Sequence, residues 1–139
     1  MTVATEVRMT LNYVLDSSCS KYGDTPAVGM ALEPALSYNE VHDRVIALAL
    51  RMQREGVEKG HRIAILAENS HNWGTAYFAA VRLGAVVVPL LPDLPESDVR
   101  HILGEMQVKI LFITQRQVDK IIELKSGGPA RIITLDDHV

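Results

Sequence analysis

The chain of 139 residues has a net charge of −3, with 47% hydrophobic and 22% charged residues. That is the balance of one soluble globular domain, large enough to bury a core without disulfides or metal. It leaves no basic footprint for nucleic acid, and the longest apolar run, Ala85 to Leu91, is far short of a membrane span. The single cysteine, Cys19, excludes an internal disulfide framework and reads as a core residue rather than a nucleophile. Residues 1–9 lack the apolar core of a signal peptide, so the cytoplasm is the expected compartment.

Met1 to Met9 is polar and expected to fray. Thr10 can cap a helix whose apolar face is Leu11, Val14, Leu15, Cys19 and Tyr22, stopped by Gly23-Asp24-Thr25-Pro26. Ala27 to Leu32 reads as a strand and Glu33-Pro34 as a turn. Ala35-Leu36-Ser37 returns as a short second strand, making a small hairpin. Ser37-Tyr38-Asn39-Glu40 is a capping box, with Leu36 and Val41 at the hydrophobic-staple positions. The helix it starts presents Val41, Val45, Leu48, Ala49 and Met52, and Gly56 ends it.

Arg62 to Ala67 is a short apolar run fit for a strand buried on both faces. Glu68 to Asn72 supplies turn and capping side chains, with Asn69 or Asn72 as an ordinary N-cap. Trp73, Ala76, Tyr77, Ala80, Val81 and Gly84 follow on one helical stripe, and Gly84 closes the helix. Ala85 to Leu91 is a second buried strand, with Pro89 near its exit. Two such strands joined by one helix make a parallel unit with a right-handed crossover.

Pro95 suits the first position of the next helix, with Glu96 and Asp98 on its positive end and Val99, Ile102, Leu103 and Met106 inward. Lys109 to Thr114 is a third strand. Gln115 to Lys125 reads as a helix burying Val118, Ile121 and Ile122, stopped by Gly127-Gly128-Pro129. Arg131 to Asp136 is a fourth strand. The alternation gives an α/β fold: three layers, a mostly parallel sheet with helices on both faces, plus a small N-terminal hairpin.

The stretch ENSHNWGTAYFAAVRLGAVVVPLLPDLPESDVRHIL resembles the N-terminal subdomain of the AMP-forming acyl-CoA synthetases, in the adenylate-forming superfamily. Its E-N-x-x-x-W-x-x-A-Y-x-A pattern followed by L-G-A-V-V-V-P-L is most similar to the long-chain fatty acyl-CoA ligases. TLNYVLDSSCSKYGDTPAV matches the family's opening, and the S-Y-N-E box stands where the family has L-T-Y-x-E-L. The family usually has threonine or serine before the proline at position 95, where this chain has Leu94, which leaves that cap weak. The resemblance covers nearly all of Thr10 to Asp137, but only the first part of a family member.

The resemblance implies that the whole enzyme converts a fatty acid, ATP and CoA into acyl-CoA, AMP and pyrophosphate through an acyl-adenylate, with Mg²⁺. This chain would be a single N-terminal subdomain, residues 1–139, of that longer ligase. Activation by ATP needs backbone N–H groups around the triphosphate and a cation at the leaving pyrophosphate. The family's Ser/Thr/Gly-rich loop with lysine, its ribose-binding acid and its C-terminal lysine do not occur in these residues, so the chain alone is expected to be inactive and to hold no cofactor tightly.

Ligands of open parallel sheets sit beyond the carboxyl ends of the strands. Asn69, His71 and Trp73 are therefore candidates to border a substrate tunnel, against the plainer readings of Asn69 as a cap, His71 as an exposed turn residue and Trp73 as part of the apolar stripe. In relatives, the turns after the second and third strands lie near the CoA nucleotide. That makes Arg116 and Lys120 candidates for its phosphates, against a plain solvated helix face. The five histidines show no metal-binding spacing. The alternative to a ligase part is a non-catalytic α/β binding module that dimerises through an exposed apolar face. A flavodoxin-like nucleotide or flavin binder shares only the fold class.

Overall fold

The computed structural model describes residues 8–124 and 127–136. Its centre is a pair of parallel strands, β3 (Arg62–Leu66) and β5 (Ile110–Ile113), numbered in chain order after β1 (Pro26–Val28) and β2 (Leu36–Ser37). Ile63 to Leu66 and Ile110 to Ile113 are wholly buried, as continuous β-branched and aliphatic runs must be when helices cover both faces. The strands β4 (Val86–Leu90) and β6 (Arg131–Thr134) flank this pair, giving the order β4-β3-β5-β6 with every pairing parallel.

Alternation along the strands divides the core in two. Ile63, Ile65, Ile110, Phe112 and Ile133 face α1 (Leu11–Tyr22), α2 (Tyr38–Arg54) and α3 (His71–Arg82). Ala64, Leu66, Leu90, Leu111 and Ile113 face α4 (Glu96–Met106) and a 3₁₀ segment, Gln115–Ile121. The expected three-layer α/β architecture is therefore present. The hairpin is present too, as the antiparallel pair β1–β2. Among the described residues no helix is long and apolar enough to cross a membrane.

Helix α2 follows its sequence signals throughout. Ser37 Oγ accepts from the Glu40 N–H at 3.1 Å, and the Glu40 carboxylate accepts from the Ser37 N–H at 2.7 Å. The buried residues are Val41, Val45, Leu48, Ala49 and Met52. Thr10 likewise caps α1 by accepting from Tyr13 N–H at 3.1 Å. Of the expected α1 face, however, only Leu15 and Cys19 are buried, and Leu11, Val14 and Tyr22 remain more than 40% exposed. Polar contacts supplement this thin packing: Asp16 pairs with Arg82 of α3 and lies 3.3 Å from His42 Nε2 of α2.

Other expectations are corrected. The strand expected over Ala27–Leu32 stops at Val28. The chain turns at Met30–Glu33, and Leu32 is fully exposed with φ +70°, a left-handed backbone that no strand continues. The second strand is shortened to Leu36–Ser37. β4 is an edge strand rather than a buried one: Val86 is 50% exposed, and Pro89, opposite Ile65, has a neighbour on one side only, which spares its missing N–H. Ser70, not Asn69 or Asn72, caps α3, accepting from Trp73 N–H at 3.2 Å. Asn72 instead is buried and donates to the Leu135 carbonyl at 2.9 Å, tying α3 to the end of β6. The α3 stripe also shifts: Thr75 and Ala79 are buried with Ala76 and Ala80, while Trp73 and Tyr77 are half-buried.

Pro95 occupies the cap position of α4 rather than its first turn, and no side chain caps that helix. Met106, expected inward, is 37% exposed. The helix expected over Gln115–Lys125 is a 3₁₀ segment ending at Ile121. Ile122 is 69% exposed, and Gln117 takes the buried position instead. Lys125 and the N-terminal seven residues lie outside the described part of the chain.

The capping box makes a measurable claim. Ser37→Ala should lower the stability of the chain by about 1 kcal/mol, because it removes one of the two reciprocal bonds at the start of α2. Urea unfolding should show a lower midpoint at unchanged slope.

Candidate functional site

The order β4-β3-β5-β6 makes the chain step outward from β3 to β4, then cross back to the other side of β3 for β5. The carboxyl ends of β3 and β5 are therefore the switch point at which open α/β sheets form a crevice. Two adjoining cavities lie at this end of the molecule. One, of about 310 Å³, is mostly apolar and is bounded by Val28 and Met30 of the hairpin, Val41 of α2, and Asn69, His71 and Phe78. The other, of about 240 Å³, has an acidic and polar rim that includes Glu33, Glu68, Thr114 and Asp136. Met30, Asn69, Ser70 and His71 line both, so the turn that enters α3 partitions the cleft.

Asn69 and His71 thus lie in the cleft wall together. Trp73 does not join them. It stacks on Tyr77 with ring centroids 5.4 Å apart and packs against the core. Arg116 is exposed just beyond β5. Lys120 is half-buried and donates to the Pro92 carbonyl, bridging the turns after β5 and β4. Arg116 and Lys120 line neither cavity.

Between the carboxyl ends of β3 and β5 the sequence left a group unrecognised. Both oxygens of Glu68 are engaged: Thr114 Oγ1 donates to Oε2 at 2.7 Å and Gln117 Nε2 donates to Oε1 at 2.5 Å. Burial pushes this carboxyl upward, but the bonds from Gln117 and Thr114, with Arg116 nearby, outweigh it and hold Glu68 below its ordinary value. Asp136, at the end of β6, accepts from the Gln115 N–H at 2.8 Å. The sequence places Glu68 in the turn after β3. Gln117 carried no signal, because the apolar pattern around it pointed to Val118, Ile121 and Ile122.

Cys19 lines neither cavity. Its thiol is buried, donates to the Tyr38 carbonyl at 3.3 Å, and is pushed upward by burial and by Asp16, which keeps it protonated and unreactive. Among the described residues no group of three or more His, Cys, Asp and Glu side chains is placed to hold a metal ion. The acidic rim, with Glu33, Glu68 and Asp136, does not suit a triphosphate.

Comparison with known proteins supplies the family. Residues 15–138 match the family model described as AMP-binding enzyme. The chain is 35% identical over 121 residues to the long-chain-fatty-acid–CoA ligase heimdall of Drosophila melanogaster, covering 81% of this chain and 18% of that protein. It is 29% identical over 109 residues to the acyl-CoA ligase SID4 of Ajellomyces capsulatus, covering 78% of this chain and 18% of that one. Its fold superposes on a fatty acyl CoA synthetase of Mycobacterium tuberculosis with a TM-score of 0.81 at 22% identity, over 88% of this chain and 26% of the other. The chain therefore spans less than a fifth of these two curated relatives. With the family model matched over nearly its whole length, the chain belongs to the AMP-binding enzyme family.

Proposed function

We propose that this chain is a single N-terminal subdomain, residues 1–139, of an AMP-forming acyl-CoA ligase. That ligase activates a fatty acid with ATP to an acyl-adenylate and passes the acyl group to CoA, with Mg²⁺ assisting. The observation that carries this reading is the family match over residues 15–138, supported by relatives whose names specify fatty-acid and acyl-CoA ligases. The subdomain serves as scaffold. The Asn69–His71 turn is one wall of the acyl site, with Trp73 fixing the helix behind it. Arg116 and Lys120 stand toward the CoA phosphates, Arg116 with its guanidinium exposed and Lys120 bracing the turn at Pro92. Among the described residues the acidic cleft rim does not fit ATP and no acidic group is placed to hold Mg²⁺, so in this reading the groups that handle them belong to other parts of the ligase. The cytoplasm, where ATP and CoA are available, is the compartment that suits this reaction, and the free Cys19 agrees with it.

A second reading has its own observation. Helix α1 leaves Leu11, Tyr13, Val14 and Tyr22 over 40% exposed, a patch that suits a non-catalytic module dimerising through this helix.

Three measurements test these readings. The purified 139-residue chain should give no fatty-acid-dependent pyrophosphate release from ATP above a heat-killed control; release above that control contradicts the scaffold role. A chimaera carrying residues 10–136 in place of the equivalent segment of a structurally aligned fatty acyl-CoA ligase should form acyl-CoA. In it, Arg116→Ala should raise the KM for CoA by about threefold to tenfold, the loss of one exposed charge contact, and leave the KM for ATP unchanged. Light scattering after size exclusion should find the isolated chain monomeric; a stable dimer abolished by Val14→Glu favours the second reading.

A further inference from the structure

The 3₁₀ segment Gln115–Ile121 is docked in an unusual way. Thr114 at its N-cap makes no capping bond, the first N–H, that of Gln115, being taken by Asp136, and its apolar residues Val118 and Ile121 are only half-buried. Its one buried residue is polar: Gln117 is 8% exposed, and its Oε1 has no hydrogen-bond partner. A glutamine placed there for packing alone would be a poor choice, since half of its amide is left unsatisfied. What the other half gains is the carboxylate of Glu68, 2.5 Å from Nε2. The same carboxylate holds Thr114, whose backbone N–H pairs with the Leu66 carbonyl at 3.2 Å and whose carbonyl accepts from the Gln117 N–H at 2.9 Å. One acid after β3 thus gathers the last residue before the segment and the segment's only buried side chain.

We propose that Glu68 is an ionisation-dependent latch: its carboxylate keeps the Gln115–Ile121 segment docked beside the carboxyl ends of β3 and β5, on the α4 side of the sheet, and protonation releases it. The argument is one of donors and acceptors. A carboxylate offers acceptors on both oxygens, and both are used by donors. A protonated carboxyl must present one O–H, which faces either the Gln117 amide N–H₂ or the Thr114 hydroxyl. One of the two contacts is then lost or inverted, with no second anchor buried in the segment. The bonds favour the ionised form over the penalty of burial, in keeping with this geometry. A carboxyl held below its ordinary value contributes its stabilisation in full above that value. The contribution is lost as pH falls through the lowered one. Among the described residues, the charged and titratable groups around Glu68 are Arg116 on the segment itself, Asp136 after β6, and Glu33 and His71 around the same cavity. Of these, Asp136 also grips the segment, through the Gln115 N–H, and is the competing explanation for any acid-driven release. The latch is independent of the ligase assignment, since it concerns only contacts within this chain.

The test follows the amides of the 139-residue chain by ¹H–¹⁵N spectra and hydrogen exchange as pH is lowered from about 6 to about 2.5. The backbone amides of Gln115–Ile121 and the Gln117 side-chain amide should move in one step. Their protection should fall by about tenfold, the scale of one hydrogen bond to a charged group, while Ile63–Leu66 and Ile110–Ile113 stay protected. In Glu68→Gln the segment should already be released at neutral pH, with no step on acidification; in Asp136→Asn the step should persist. Thr114→Val, which removes one donor and keeps the volume, should move the step to higher pH. The latch is overturned if the step survives in Glu68→Gln, if it vanishes in Asp136→Asn, if Thr114→Val leaves it in place, or if segment and central strands lose protection together.

Discussion

The pairing of β3 with β5 is the constraint on which the other elements depend. Both strands are buried on two faces, so each side chain of Ile63–Leu66 and Ile110–Ile113 must be covered by something. Alternation sends Ile63, Ile65, Ile110 and Phe112 toward α1–α3, and Ala64, Leu66, Leu111 and Ile113 toward α4 and the 3₁₀ segment. Helices on both faces are the consequence, and β4 and β6 become the outer strands of the described sheet. Because β3 and β5 are neighbours without being consecutive, their carboxyl ends also define the switch point, and with it the place where the cleft opens.

That cleft is divided by the turn into α3, and its two halves differ in chemistry. On the hairpin side it is apolar, walled by Val28, Met30, Val41 and Phe78. On the sheet side it is acidic, with Glu33, Glu68 and Asp136. The turn Asn69–His71 belongs to both, held by the Ser70 cap on one side and, through Glu68, by the β5 end on the other. An arrangement of this kind offers a surface to an apolar group on one side and, on the other, an acidic rim that repels a triphosphate.

Polar contacts decide the positions that apolar burial leaves undetermined. Helix α1 buries two residues of its expected face, and Asp16 links it to His42 and Arg82. Helix α3 is fastened to the end of β6 by Asn72. The 3₁₀ segment is held by Gln117 and Thr114 through Glu68, by Asp136 at the Gln115 N–H and by Lys120 at the Pro92 carbonyl. In each case a short polar side chain fixes the element's position where greasy contact alone would allow it to slide, since a hydrogen bond weakens steeply with distance and angle while burial does not.

The order and type of the major elements were legible in the residues themselves. The capping box at Ser37 and the stripe Val41, Val45, Leu48, Ala49 and Met52 were read in full, because those signals are local: a helix start and a helical period are complete within one turn or two. The apolar runs of β3 and β5 and the shared motifs likewise stood in the chain as written. Tertiary structure alone decided that β4 lies at an edge, that Leu32 breaks the first strand, that Ser70 rather than an asparagine caps α3, and that Gln117 displaces Ile122 from the interior. The physical reason is the same each time. Whether a residue is covered, and which of several adequate donors or acceptors is used, depends on partners dozens of positions away, and Glu68 meets Gln117 only after the sheet has brought the ends of β3 and β5 side by side.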